Sequence, residues 1–118
     1  MPLTDTADLP PMAEPFELLE LTDGQTMQLV VERWALGQMH IKPRDGRPEK
    51  DVPCLRAWVP EGDKPTLPHF WDITSKHLIA GLLGYLETKP ARRYRFTIRK
   101  RGRGPVGRFE LTVTPLAP

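Results

Sequence analysis

Proline placement restricts what this chain of 118 residues can fold into more than any other feature. Its fourteen prolines fall within the first fifteen residues, in the stretches 43–53 and 60–68, at positions 90 and 105, and near the C-terminus. Each removes a backbone donor and locks φ, so neither a helix interior nor an inner strand runs comfortably through these points. Short elements joined by many loops are the only economical solution. The length suits one domain, and 39% hydrophobic residues supply a real but modest core.

Residues 1–15 (MPLTDTADLPPMAEP) combine proline, acids and small side chains without periodicity. They read as a flexible leader whose deletion should leave the melting temperature nearly unchanged. Residues 16–116 are expected to form a single domain. Phe16–Leu21 reads as a short strand, and Asp23-Gly24 as a hairpin turn. A long strand is expected over Thr26–Leu36, with a bulge at Gly37 and a continuation through Lys42. Pro43–Pro53 and Pro60–Pro68 read as loops on either side of a strand at Cys54–Val59.

The periodicity changes after Asp72. Leu78, Ile79, Leu82, Leu83 and Leu86 recur at helical spacing, with Asp72 or Thr74 as cap and Lys89-Pro90 as stop, which predicts a helix over residues 74–87. Gly81 and Gly84 within it point to close packing, most simply on the chain's own sheet. Two alternating strands follow. Tyr94, Phe96 and Ile98 are expected inward with Arg93, Arg95 and Arg99 outward; Phe109, Leu111 and Val113 inward with Arg108 and Glu110 outward. The expected fold is α+β: a mostly antiparallel sheet in the order β-β-β-β-α-β-β, with one amphipathic helix packed on a face.

Catalytic and metal chemistry find little support. One cysteine and three histidines (Cys54, His40, His69, His77) match no zinc spacing. Cys54 in an apolar strand reads as a small core residue. Ser75-Lys76 suits a helix start, and no pair of carboxylates stands out for acid–base work. Gly102-x-Gly104-x-x-Gly107 matches a dinucleotide fingerprint as a string, but a strand pattern follows it where a helix is needed. The chain is therefore read as non-enzymatic, without metal or cofactor. Trp34, Trp58, Phe70 and Trp71 read mostly as core. A lone cysteine, no secretory pattern and no membrane-length apolar run give the expectation of a cytoplasmic protein with no membrane partner.

Charge is the positive signal. A net charge of +2 conceals seven acids and no base before Arg33, against nine bases and no acid from Lys89 to Arg108. Arg93, Arg95, Arg99 and Arg108 are placed on one hairpin face, with Lys100, Arg101 and Arg103 crowning its loop. Alternate positions on a strand lie roughly 7 Å apart, close to the spacing of phosphates along a nucleic-acid strand. Arginine adds a forked donor set suited to phosphate. The expectation is a small nucleic-acid-binding protein, for DNA or RNA, contacting the backbone through these seven residues. The alternative is a protein-interaction or structural subunit of an assembly or homo-oligomer. The hairpin would then meet an acidic protein surface, or be covered by the acidic strands of its own chain, with Trp71, Tyr85 and the helix face as further contacts.

Overall fold

The computed structural model describes residues 9–41, 49–87, 93–102 and 108–116. The turn at Thr22–Gln25 closes with a bond from the Gln25 N–H to the Thr22 carbonyl, 2.9 Å long. Gly24 stands at its third position with φ of 83°, a conformation that costs glycine little. The turn opens strand β1 (Thr26–Val30) instead of joining two paired strands.

The long strand expected through Leu36 is interrupted at Val31 and Glu32, and β2 (Arg33–Ile41) begins after the break. Leu29 and Val30 are both buried, so the in–out alternation fails there. The chain is passing from one sheet to another. Two polar contacts hold the crossing: the Val30 N–H donates to the Asp63 carboxylate, and the Glu32 N–H to the Trp58 carbonyl.

β2 pairs antiparallel with β3 (Lys50–Trp58), and β3 with β4 (Phe70–Ile73). Gly37 is in regular register opposite Cys54, so the expected bulge is absent. Glycine is required there for another reason, because a Cβ at this position would lie 2.7 Å from the Pro10 carbonyl oxygen. Pro53 is tolerated inside β3. Gln38, its partner, turns its own backbone groups outward to residues 10–12, so this is a pair without mutual hydrogen bonds. The missing N–H of Pro53 then faces the side that β4, paired only from Leu55 to Trp58, does not reach.

The helix α1 (Lys76–Leu86) is capped by Ser75, whose Oγ accepts from the Leu78 N–H. Asp72, expected as a cap, lies in β4 instead. After α1 come β5 (Tyr94–Arg101) and β6 (Arg108–Pro115). The fold is thus α+β in the order β-β-β-β-α-β-β, with two antiparallel three-stranded sheets, β1-β5-β6 and β2-β3-β4, and one helix. Leu29, Phe96 and Ile98 from the first sheet meet Leu55 and Ile73 from the second and Leu78, Ile79, Leu82 and Leu83 of α1 in one core. A Cβ on Gly81 would lie 3.3 Å from Leu111, so this glycine does bring the helix close to β6, whereas Gly84 faces open space.

The leader departs furthest from expectation. Residues 1–8 lie outside the described set, but residues 9–15 are docked. Gln38 receives and donates backbone bonds at Met12 and Pro10, along the free edge of β2. The Pro15 carbonyl accepts from Arg56 in the middle of β3, and Glu17 and Leu19 bond the backbone of Asp72 on the far edge of β4. Residues 10–19 therefore cross the β2-β3-β4 sheet from one edge to the other. The strand expected at Phe16–Leu21 is reduced to a single bridge, Leu18 to Asp72, while Leu19 and Leu21 join the core.

Candidate nucleic-acid interface

The hairpin β5–β6 runs in unbroken register from Tyr94↔Pro115 to Arg101↔Arg108. Phe96 and Ile98 enter the core, so Arg95, Thr97, Arg99 and Arg101 take the opposite face. β1 adds Thr26 and Gln28 beside them, and β6 adds Arg108, Glu110, Thr112 and Thr114. Arg93, just before β5, is exposed as well, and its carbonyl accepts from the Leu116 N–H. Among the described residues of β5 and β6 and Arg93 before them, this sheet face thus carries Arg93, Arg95, Arg99, Arg101 and Arg108 against a single carboxylate, that of Glu110.

Glu110 is ion-paired with Arg101. Among the described residues Arg93, Arg95, Arg99 and Arg108 are exposed and take part in no ion pair. Glu17 does not cover them, because its carboxylate lies 3.3 Å from Lys64 in the loop between β3 and β4. No ion pair joins Glu20 or Glu32 to the hairpin among these residues either. The acidic and basic ends of the chain are neighbours through backbone pairing of β1 with β5. One acid reaches the hairpin tip: the Asp23 carboxylate accepts from the Gly102 N–H at 2.9 Å.

Three of the seven expected residues need correction or fall outside. Arg101 is the last residue of β5, on the outer face and paired with Glu110, and not part of the loop. Lys100 does not crown a loop. It belongs to β5, and two-residue alternation places it on the inner side with Phe96 and Ile98, 9% exposed, its Nζ 4.6 Å from the centre of the Phe109 ring. Arg103 lies outside the described residues, as do Lys89 and Arg92.

Several polar residues that sequence reasoning did not single out are buried. Arg56 and Asp72 face each other across β3 and β4 and form a forked pair, Nε to Oδ1 at 2.7 Å and Nη2 to Oδ2 at 3.1 Å. Arg56 also lies 4.1 Å over the Phe70 ring, and Asp72 accepts from the Glu17 N–H. Lys64 is buried in the 60–68 loop with its ammonium on the carbonyls of Thr66 and Pro68, 4.8 Å over Trp71. Arg33 lies 4.1 Å over Trp58, which packs against Phe70. Only the strand register reveals the first pair, and only the loop's curl reveals the second.

The groups considered for catalysis are dispersed. Cys54 is fully buried, and burial, with the Asp72 charge adding to it, pushes its thiol up to about 12. His40 has both ring nitrogens on carboxylates, Asp51 at 2.8 Å and Glu49 at 3.0 Å. His69 is bonded to the Lys64 carbonyl, and His77 is exposed at the start of α1. Among the described residues no helix is long and apolar enough to cross a membrane. No family model, no curated protein and no solved structure matches the chain.

Proposed function

We propose that this protein binds nucleic acid through the outer face of the β1-β5-β6 sheet, with Arg93, Arg95, Arg99 and Arg108 as its phosphate contacts. The observation that carries the reading is the combination of exposure and sign. Four arginines stand on one sheet face, and the acidic residues among those described leave them open to a partner. Threonines and Gln28 between them offer hydroxyl and amide groups to backbone oxygens, contacts that position a strand without reading its sequence. Binding of DNA or RNA by such a face is governed by counterion release.

Connectivity bears on the reading only in part. With β1 and β2 counted as one strand position, the order of strands and helix follows that of a partly open OB barrel. That architecture binds oligonucleotides on its second and third strands and the loop joining its last two, so of the face proposed here only the end of the β5–β6 hairpin shares that place. A shared connectivity does not by itself assign a function, and the arginine face remains the deciding feature.

The test is a salt titration of binding to single- and double-stranded DNA and RNA. Changing Arg95 and Arg99 together to alanine should flatten the slope of log K against log salt by roughly 1.4 for a single strand or 1.8 for duplex DNA. Affinity should fall to a similar degree across sequences. No binding at low salt, or an unchanged slope in the double variant, refutes the reading. A protein-contact role rests on a different observation, the exposure of Leu67 (80%) in the 60–68 loop and of Leu18 (42%) in the segment that crosses the β2-β3-β4 sheet. It becomes the better account if the salt titration fails.

A further inference from the structure

The two sheets are not closed into a full barrel: β4 and β6, the strands that would meet, are not paired. The Leu18–Asp72 bridge covers the outer edge of β4 as far as Asp72, and beyond it the seam opens into a cleft of about 710 Å³. Lys100, Arg108 and Phe109 of the hairpin line it together with His77 and Leu78 of α1 and Leu19 of the leader, so cationic and apolar side chains border the same space. No carboxylate stands among the described residues that line it. The volume falls in the range of small-molecule sites, roughly 300–1,000 Å³. Two cations next to apolar and aromatic surface suit a ligand with an anionic group joined to a flat, weakly polar body.

Position narrows the ligand further. Arg108 belongs both to the rim of this cleft and to the row of arginines on the outer face, where it lies opposite Arg101. Lys100 is the residue after Arg99 and points to the other side of the same strand. A strand held by Arg95 and Arg99 would therefore pass the mouth of the cleft at the end of the hairpin. A duplex keeps its bases stacked inside and could present only backbone there, whereas a single strand can turn one nucleotide in.

We infer that the seam cleft seats one unpaired nucleotide of a bound single strand, its phosphate against Lys100 and Arg108 and its base against Phe109 and Leu19. This rests on the nucleic-acid reading of the outer face and adds to it a preference for single strands. Lys100 regains a binding role from inside the cleft instead of from the loop. Phe109 becomes a contact residue, because an aromatic wall holds any base by its face with little sequence preference.

The experiment uses the full chain with a short thymidine oligomer and a duplex of the same length, followed by fluorescence anisotropy. The single strand should bind at least tenfold more tightly. Lys100→Met should weaken single-strand binding about tenfold and change duplex affinity less than twofold, while Arg95→Ala with Arg99→Ala weakens both. Phe109→Leu, which keeps the apolar volume, should cost the single strand about fivefold. An oligomer carrying 5-iodouracil, irradiated on the unmodified protein, should crosslink at Phe109, a readout that needs no variant to fold. Crosslinks confined to residues outside the cleft overturn the inference. So does a folded Lys100→Met variant with wild-type single-strand affinity. If the double-arginine variant still weakens binding in either case, the outer-face reading stands alone. If neither oligomer binds at low salt, both proposals fall.

Discussion

Replacing Arg56 by methionine tests the most consequential polar contact in the fold. Wild-type Arg56 and Asp72 side chains are 6% and 0% exposed and joined by two charge-assisted bonds. With the guanidinium gone, the Asp72 carboxylate keeps the Glu17 N–H, at 2.8 Å, and the neighbouring Cys54 thiol, and stays buried without a counter-charge. Leaving one member of a buried pair uncompensated costs about 3–5 kcal/mol. At about 4 °C per kcal/mol for a domain of this size, the melting temperature should fall by about 12–20 °C. Arg56→Met combined with Asp72→Leu removes both charges, and an apolar pair of similar volume is close to neutral. What remains is the loss of partners for the Pro15 carbonyl and the Glu17 N–H, about 1 kcal/mol each. The double variant should therefore recover to about 2 kcal/mol below wild type. Urea denaturation followed by tryptophan fluorescence gives all three values. A loss under about 1 kcal/mol for Arg56→Met, or a double variant no better than the single, would refute the reasoning.

Other predictions concern the leader, a histidine and the cysteine. Gly37→Ala forces a Cβ against the Pro10 carbonyl, so it should release residues 10–12 with their two backbone bonds to Gln38. The expected loss is about 2 kcal/mol, matched by deletion of residues 1–14; an unchanged melting temperature for both variants contradicts the docking. Hydrogen bonds that His40 donates to the carboxylates of Asp51, first, and Glu49 raise its pKa above 6.5, and an NMR titration should find it there, falling back in Asp51→Asn. Because the folded-state value is the higher one, this interaction contributes fully below the unfolded pKa and fades as pH rises through the folded one. With its thiol pushed up to about 12 by burial, Cys54 should react with a disulfide reagent at pH 8 only at the rate of unfolding. Rapid labelling of the native protein would place Cys54 at the surface.

Local patterns carried much of the fold. The leucine spacing from Leu78 to Leu86 defines one face of a helix whatever surrounds it, and the alternation in β5 and β6 sets Arg95 and Arg99 opposite Phe96 and Ile98. These signals are legible because they depend on backbone geometry within a few residues. β4 was not legible. Phe70–Ile73 is four residues long, follows a proline and carries an aspartate, and is a strand only because β3 and the leader supply partners on either side.

Charged residues divide in the same way. The exposed arginines of the hairpin could be placed from alternation alone, since solvent is the default partner of a charge. Arg56 and Lys64 could not, because a buried charge is tolerated only where carboxylates, carbonyls or rings converge on it from distant parts of the chain. Residues 10–19 show the limit most clearly. Their composition resembles a free leader, yet the β2 edge at Gln38, Arg56 in mid-sheet and the β4 edge at Asp72 hold them in succession. By itself the sequence determined which residues form the helix, the hairpin and its basic face. Only the tertiary structure decided that the chain breaks at Val31 and Glu32 to pass between two sheets, that the leader binds one of them, and that the seam between β4 and β6 stays open. Those outcomes depend on which unpaired edges and buried charges meet, and such pairings are fixed by distances that no local pattern contains.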